Sequence, residues 1–175
     1  MLSAKSIVPS AEMRLSVLLA CCLALSAQAA ELPMPEGPVL LTVSGEISNT
    51  SDGESAMFDL AALRALGESK ITTDTIWTEG DHVFTGVRLH DLLQHVGATG
   101  VEIAATAIND YTVTVPVSDA TEGGPIIAYA MDGDLMSRRD KGPLWLIYPY
   151  ASSSDYRTEV IYSRSIWQLD RIELD

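Results

Sequence analysis

Apolar residues recur at helical spacing in two short stretches. Each stretch has leucine or valine at positions three and four apart, which places these side chains on one face of a helix. The first follows Asp59, a residue that can cap a helix, and stops at Gly67. The second, which has the clearer periodicity, stops at Gly97. The two predicted helical faces are Leu60, Leu63 and Leu66, and Leu89, Leu92, Leu93 and Val96.

Most of the other apolar positions alternate with polar ones or form short continuous runs, which is typical of strands. A loop is predicted at 78–82, and Asp132-Gly133 is a strong hairpin signal after one of the strands. The predicted strands are residues 39–43, 71–77, 101–108, 111–117, 126–131, 144–148 and 167–174. Many strands and few short helices predict an α+β fold, with sheets that are mixed or mainly antiparallel.

The N-terminus has the pattern of a signal peptide. Two basic residues, Lys5 and Arg14, precede an apolar run at 15–25, and Ala27-Gln28-Ala29 supplies the small residues of a cleavage site. We expect cleavage after Ala29 and a periplasmic or secreted protein; acylation at Cys21 as a lipoprotein is the alternative. The sequence thus divides into a signal peptide (1–29), an extended proline-rich lead-in (30–38) and one domain (39–175), with no transmembrane segment expected after cleavage.

Charge and cysteine content narrow the possible functions. Both cysteines, Cys21 and Cys22, lie in the signal peptide, so the mature chain has no thiolate for catalysis or metal binding. Residues 30–175 hold 9 basic and 23 acidic residues, a net charge of −14. A domain this acidic repels nucleic acid and anionic membrane surfaces, so we expect neither to be its partner.

Few residues point to chemistry by themselves. The chain has no Gly-x-Ser-x-Gly elbow, His-Glu-x-x-His helix or phosphate-binding glycine loop. His82 lies in the loop before the second helix, a common place for binding residues. Arg138, Arg139 and Lys141 form a basic cluster that could hold a phosphate or an acidic partner, or could be a solvated hairpin end balanced by neighbouring aspartates.

Four strings occur in an order that resembles a known family. They are FTGVRLHDLL at 84–93, NDYTVTVP at 109–116, GPLWLIYP at 142–149 and SIWQL at 165–169, preceded by LTVSG at 41–45. Together they resemble the oxidoreductase molybdopterin-binding domain of the sulfite-oxidase type over residues 39–174. The resemblance implies an α+β fold with mixed sheets and a molybdopterin cofactor.

The resemblance also implies where a cofactor site would lie. Aligning Trp77 and Gly86 with the family pattern puts Thr73 at or near the cysteine that binds molybdenum in active members. Ile166 stands where active members tend to have a basic residue. The other implied cofactor-binding residues are Asp110, Tyr111, Arg138 and Arg139, and the implied ligand pocket includes Trp77, His82 and Tyr148.

Two functions follow from this resemblance. The first is a pseudoenzyme that lacks the metal-binding thiolate and uses the retained pocket to bind a small ligand or a partner protein. The second is an active molybdenum oxidoreductase in which the pterin alone supplies sulfur and Asp110, Tyr111 or Thr73 reaches the metal. A threonine hydroxyl stays protonated at neutral pH and is a poor substitute for a thiolate.

Overall fold

The computed structural model describes residues 30–175. The predicted signal peptide and its two cysteines lie outside the described residues. Two five-stranded sheets and three short helices make up the described chain, which confirms the α+β prediction. None of its helices has both the length and the apolar character needed to cross a membrane.

The first sheet has the strand order β2-β1-β10-β5-β6. It is mixed, because β1 pairs in parallel with β10 while the other neighbours are antiparallel. Its strands are β1 (Leu41–Gly45), β2 (Ala56–Phe58), β5 (Glu102–Ala107), β6 (Thr112–Pro116) and β10 (Leu169–Leu174). The predicted pairing of β5 with β6 around Asn109-Asp110 is confirmed.

The second sheet is antiparallel, with the order β3-β4-β7-β8 and with β9 also paired to β7. The strands are β3 (Ser69–Thr73), β4 (His82–Arg88), β7 (Ile126–Met131), β8 (Asp134–Leu135) and β9 (Trp145–Ile147). The hairpin predicted at Asp132-Gly133 joins β7 to β8. Strand β3 ends at Thr73, four residues earlier than predicted, so Trp77 lies in a loop.

The three helices are α1 (Leu60–Ala65), α2 (Leu89–Val96) and α3 (Glu159–Arg164). Asp59 caps α1 by accepting a hydrogen bond from the Ala62 N–H, as predicted. Gly97 ends α2 in the left-handed conformation at φ 63°. Both helices contact β4, and their buried faces join one hydrophobic core with residues of both sheets.

Residues 30–38 run in an extended form along the domain. The Leu32 N–H donates to the Thr50 carbonyl at 2.7 Å, and the Gly37 N–H donates to the Asp59 carboxylate at 2.7 Å. The Ala30 N–H also donates to Asn49 Oδ1 at 3.0 Å, so hydrogen bonds hold the lead-in to the domain at three points.

Candidate functional site

A cleft of about 370 Å³ opens between the end of β5, the turn before β6 and the segment that joins α3 to β10. Four aromatic side chains and two amide side chains give it its chemical character. These are Trp77, Tyr111, Tyr162 and Trp167, with Asn109 and Gln168. Ala107, Ser163, Ser165 and Ile166 complete the lining. Its size falls within the usual range for small-molecule sites.

The aromatic rings of the cleft stand nearly at right angles. The centroids of Trp77 and Trp167 are 5.7 Å apart with an interplanar angle of 74°, and those of Trp77 and Tyr162 are 5.9 Å apart at 86°. Trp145 lies beneath them, fully buried, 5.7 Å from Trp77. Edge-to-face packing of this kind holds each ring in a defined orientation.

Hydrogen bonds fix the segment that carries Trp167. Gln168 adopts the left-handed backbone region at φ 54°, which is uncommon for a residue other than glycine. Its backbone N–H donates to the Lys141 carbonyl at 3.0 Å, and its side-chain amide donates to the Arg138 carbonyl at 2.6 Å. The segment is therefore tied to the loop that contains the basic cluster.

Hydrogen bonds from buried side chains hold the end of α3, which forms one wall of the cleft, against the core. The Tyr150 hydroxyl donates to Ser165 Oγ at 2.6 Å, and the Trp145 indole N–H donates to the Ser165 carbonyl at 3.1 Å. Arg164 donates to the Asp119 carboxylate at 2.9 Å, and the buried Tyr148 hydroxyl donates to the same oxygen at 2.7 Å. Burial raises the pKa of Tyr148, so this hydroxyl stays protonated.

The structure brings together only some of the predicted site residues. Trp77 and Tyr111 line the cleft, and Tyr111 is 59% exposed. Asp110 lies at its edge in the turn before β6, with φ 65°, and its carboxylate pairs with Arg171. Tyr148 is absent from the lining, since its side chain is buried in the network with Asp119.

Thr73 is fully buried at the end of β3, and its hydroxyl is already engaged. Thr73 Oγ1 accepts a hydrogen bond from the Ala151 N–H at 2.9 Å and donates to the Asp74 carbonyl at 3.1 Å. Next to it, Arg157 donates to both carboxylate oxygens of Asp74 and to the Tyr150 carbonyl. These contacts hold the 150–157 segment against Thr73.

The predicted basic cluster lies on an exposed loop between β8 and β9. Within residues 30–175, neither Arg138 nor Arg139 forms a salt bridge. The Lys141 ammonium lies 5.5 Å from the centroid of the Trp145 ring, in a cation–π contact. Only the backbone of this loop reaches the lining residue Gln168, as described above.

His82 begins β4 and lies outside the cleft lining. Its Nδ1 donates to the Asp132 carboxylate at 2.6 Å and its Nε2 donates to the Glu79 carbonyl at 3.0 Å, an arrangement that suits the protonated ring. The hydrogen bond to Asp132 raises the pKa of His82 and lowers that of Asp132. His82 therefore joins two loops by a charge-assisted contact.

This contact predicts a specific pH dependence. Because folding raises the pKa of His82, the contact contributes fully below the ordinary value of 6.5 and is lost as the pH rises through the folded value. On the acid side it is lost as Asp132 becomes protonated, below its ordinary 3.8. Asp132→Asn should lower the pKa of His82, measured by NMR, and should destabilise the fold more at about pH 5.5 than at about pH 9. An unchanged His82 titration in Asp132→Asn would contradict this.

Sequence reasoning missed several lining residues. Tyr162 lies on α3, whose six residues include no buried side chain, so no apolar periodicity marks the helix. Asn109 and Gln168 belong to no sequence motif that would mark them as binding residues. Trp167 and Tyr162 could have been selected only as members of an aromatic-rich C-terminal half, which does not separate core rings from lining rings.

A larger groove, of about 630 Å³, lies beside the lead-in and is lined mainly by apolar residues such as Leu40, Leu60 and Met136. None of the predicted site residues lines it. Within the described part of the chain, no cluster of three or more histidine, cysteine, aspartate or glutamate side chains could hold a metal ion. The aromatic cleft, where two of the family-like strings meet, is therefore the better candidate site.

No curated protein matches the chain. The family model described as the oxidoreductase molybdopterin-binding domain matches residues 57–155, which run from the second residue of β2 to beyond β9 and include both Thr73 and Trp77. Since the match spans more than half of the sequence, this chain belongs to the oxidoreductase molybdopterin-binding domain family.

Proposed function

We propose that this chain is an exported, periplasmic member of its family that acts as a pseudoenzyme. It uses the aromatic cleft between Trp77, Tyr111 and Trp167 to bind a small ligand or a partner protein. Three observations support the proposal: the state of Thr73, the surroundings of the other implied cofactor residues, and the composition of the cleft.

The engagement of Thr73 carries the proposal. Residues 30–175 contain no cysteine, and the residue that the family pattern places at or near the ligand position is a buried threonine. Its hydroxyl already accepts from Ala151 and donates to the Asp74 carbonyl. A neutral hydroxyl with both roles filled is a poor ligand for molybdenum, which binds a thiolate in active members.

The other residues implied for the cofactor do not compensate. Asp110 lies between the lining residues Asn109 and Tyr111 in the sequence, but its carboxylate is paired with Arg171. Arg138 and Arg139 are exposed, and the cleft lining itself contains no charged side chain that would hold the pterin phosphate. The described residues therefore do not fit a molybdenum centre held by the protein.

The molybdenum and pterin content of the natively exported protein tests this proposal. We expect neither to be present at a stoichiometric level, measured by elemental analysis and by fluorescence of the released pterin. About one equivalent of each would overturn the pseudoenzyme and support the alternative, an active molybdenum–pterin oxidoreductase without a protein thiolate. In that case Arg138→Ala with Arg139→Ala should reduce pterin retention, because the two cations lie on the loop tied to Gln168.

A further inference from the structure

We propose that the aromatic cleft selects a methylated ammonium group, such as the trimethylammonium head of a small ligand. This inference rests on the proposed function, since it names the ligand class of the same cleft. The arrangement of the rings, the charge of the domain and the free polar groups of the lining support it.

The rings provide the walls that such a group requires. Trp77 stands at 74° to Trp167 and at 86° to Tyr162, with centroids less than 6 Å apart in both pairs. Tyr111 is exposed and also lines the cleft. Because these rings pack edge to face on one another, the surface open to a ligand is on the exposed rings, Trp167 (40% exposed) and Tyr111 (59% exposed). An aromatic face attracts a cation that lies within about 6 Å of the ring centroid.

Charge favours a cation over an anion. The lining contains no lysine, arginine or carboxylate, while residues 30–175 carry a net charge of −14. The potential of such a domain attracts cations and repels phosphates and carboxylates. Within the described residues, Lys141 makes a cation–π contact with Trp145 and not with Trp77 or Trp167. No cation of this part of the chain therefore occupies the rings of Trp77 and Trp167.

The polar groups of the lining favour a methylated ammonium over a primary one. A primary ammonium brings three N–H donors that must be satisfied when it leaves water. The lining offers such a group no carboxylate to pair with, only neutral hydroxyl and amide oxygens. A trimethylammonium has no N–H donors, so it loses no hydrogen bonds of its own to water when it enters the cleft. The Tyr162 hydroxyl makes no hydrogen bond to the described residues and can contact a polar tail of the ligand.

The test compares choline with 3,3-dimethyl-1-butanol, which has the same shape but carries carbon in place of the charged nitrogen. All three tryptophans of the chain belong to the cluster, so tryptophan fluorescence and calorimetry can follow both titrations. We expect choline to bind at least about tenfold more tightly than its neutral isostere. Trp167→Leu and Tyr111→Leu should each weaken choline binding by about threefold to tenfold. Leu135→Ala, which removes an exposed apolar side chain from the larger groove, should leave it unchanged.

The other outcomes separate this inference from the proposed function. Equal affinity for choline and its isostere would contradict selection of a methylated ammonium but would keep the cleft as a binding site. The same conclusion would follow if glucose bound more tightly than choline and Trp167→Leu weakened glucose binding. Stoichiometric molybdenum and pterin in the exported protein would overturn the proposed function itself. A full-length, folded protein that binds none of these probes would overturn the ligand class.

Discussion

Replacing Trp145 with alanine is expected to lower the free energy of unfolding by about 3–5 kcal/mol. The side chain is fully buried, and its ring packs edge-to-face on Trp77, Phe84 and Trp167, with centroids 5.7, 5.5 and 6.4 Å away. Alanine would leave a cavity below the cleft and would remove the donor to the Ser165 carbonyl. The melting temperature should fall by roughly 10–15 °C for a domain of this size, measured by calorimetry.

Trp167→Ala is the matched control for Trp145→Ala. It removes the same ring from the same cluster, but at a position that is 40% exposed, so less apolar surface is lost from the core. We expect a loss of about 1–2 kcal/mol in the free energy of unfolding, together with weaker ligand binding. Similar losses of stability in the two variants would contradict the assignment of Trp145 to the core and Trp167 to the wall of the cleft.

The parts of the fold that sequence reasoning found are those with a local signal. Helix α2 combines a four-residue apolar face with a glycine stop, and the β5–β6 hairpin combines alternation with the turn at Asn109-Asp110. Each signal lies within a dozen residues and needs no knowledge of the rest of the chain. The cap at Asp59 was predictable for the same reason.

Strand β4 shows where local reasoning fails. Its residues 84–87 are all buried, because β4 lies between β3 and β7 and is covered by α1 and α2. A strand buried on both faces has no alternation, and its sequence ran directly into the helical pattern of α2. We therefore predicted a loop at 78–82 and a helix from Leu89, and assigned no strand to residues 83–88, where the chain has β4.

The site was predictable only in part, because its contacts join distant segments. The family resemblance selected Trp77, Tyr111 and the missing thiolate at Thr73. The hydrogen bond that engages Thr73 comes from Ala151, 78 residues away, and the wall of the cleft comes from α3, none of whose residues is fully buried. The sequence pattern of one segment cannot predict contacts with a segment so far away in the chain. The same limit explains why Tyr148, found by the resemblance, proved to be buried against Asp119.

Gly86→Ala is expected to destabilise the protein by at least about 2–3 kcal/mol and to reduce the yield of folded protein. Gly86 lies in the middle of β4 and pairs with Ala128 of β7 at a register shift. A Cβ placed there would lie 2.6 Å from the Ala128 Cα and closer still to the Ile127 carbonyl oxygen. These are backbone atoms of a neighbouring strand, so relief requires β4 and β7 to separate rather than a side chain to rotate.

Gly123→Ala separates this steric effect from the general effect of replacing glycine. Gly123 lies in the turn before β7, and a Cβ there would meet no atom within 4 Å. Both substitutions reduce the conformational freedom of the unfolded chain equally, which by itself stabilises a protein slightly. We therefore expect Gly123→Ala to be neutral or stabilising in chemical denaturation, while Gly86→Ala loses stability. If the two variants unfold at the same denaturant concentration, β4 and β7 do not approach each other as closely as described.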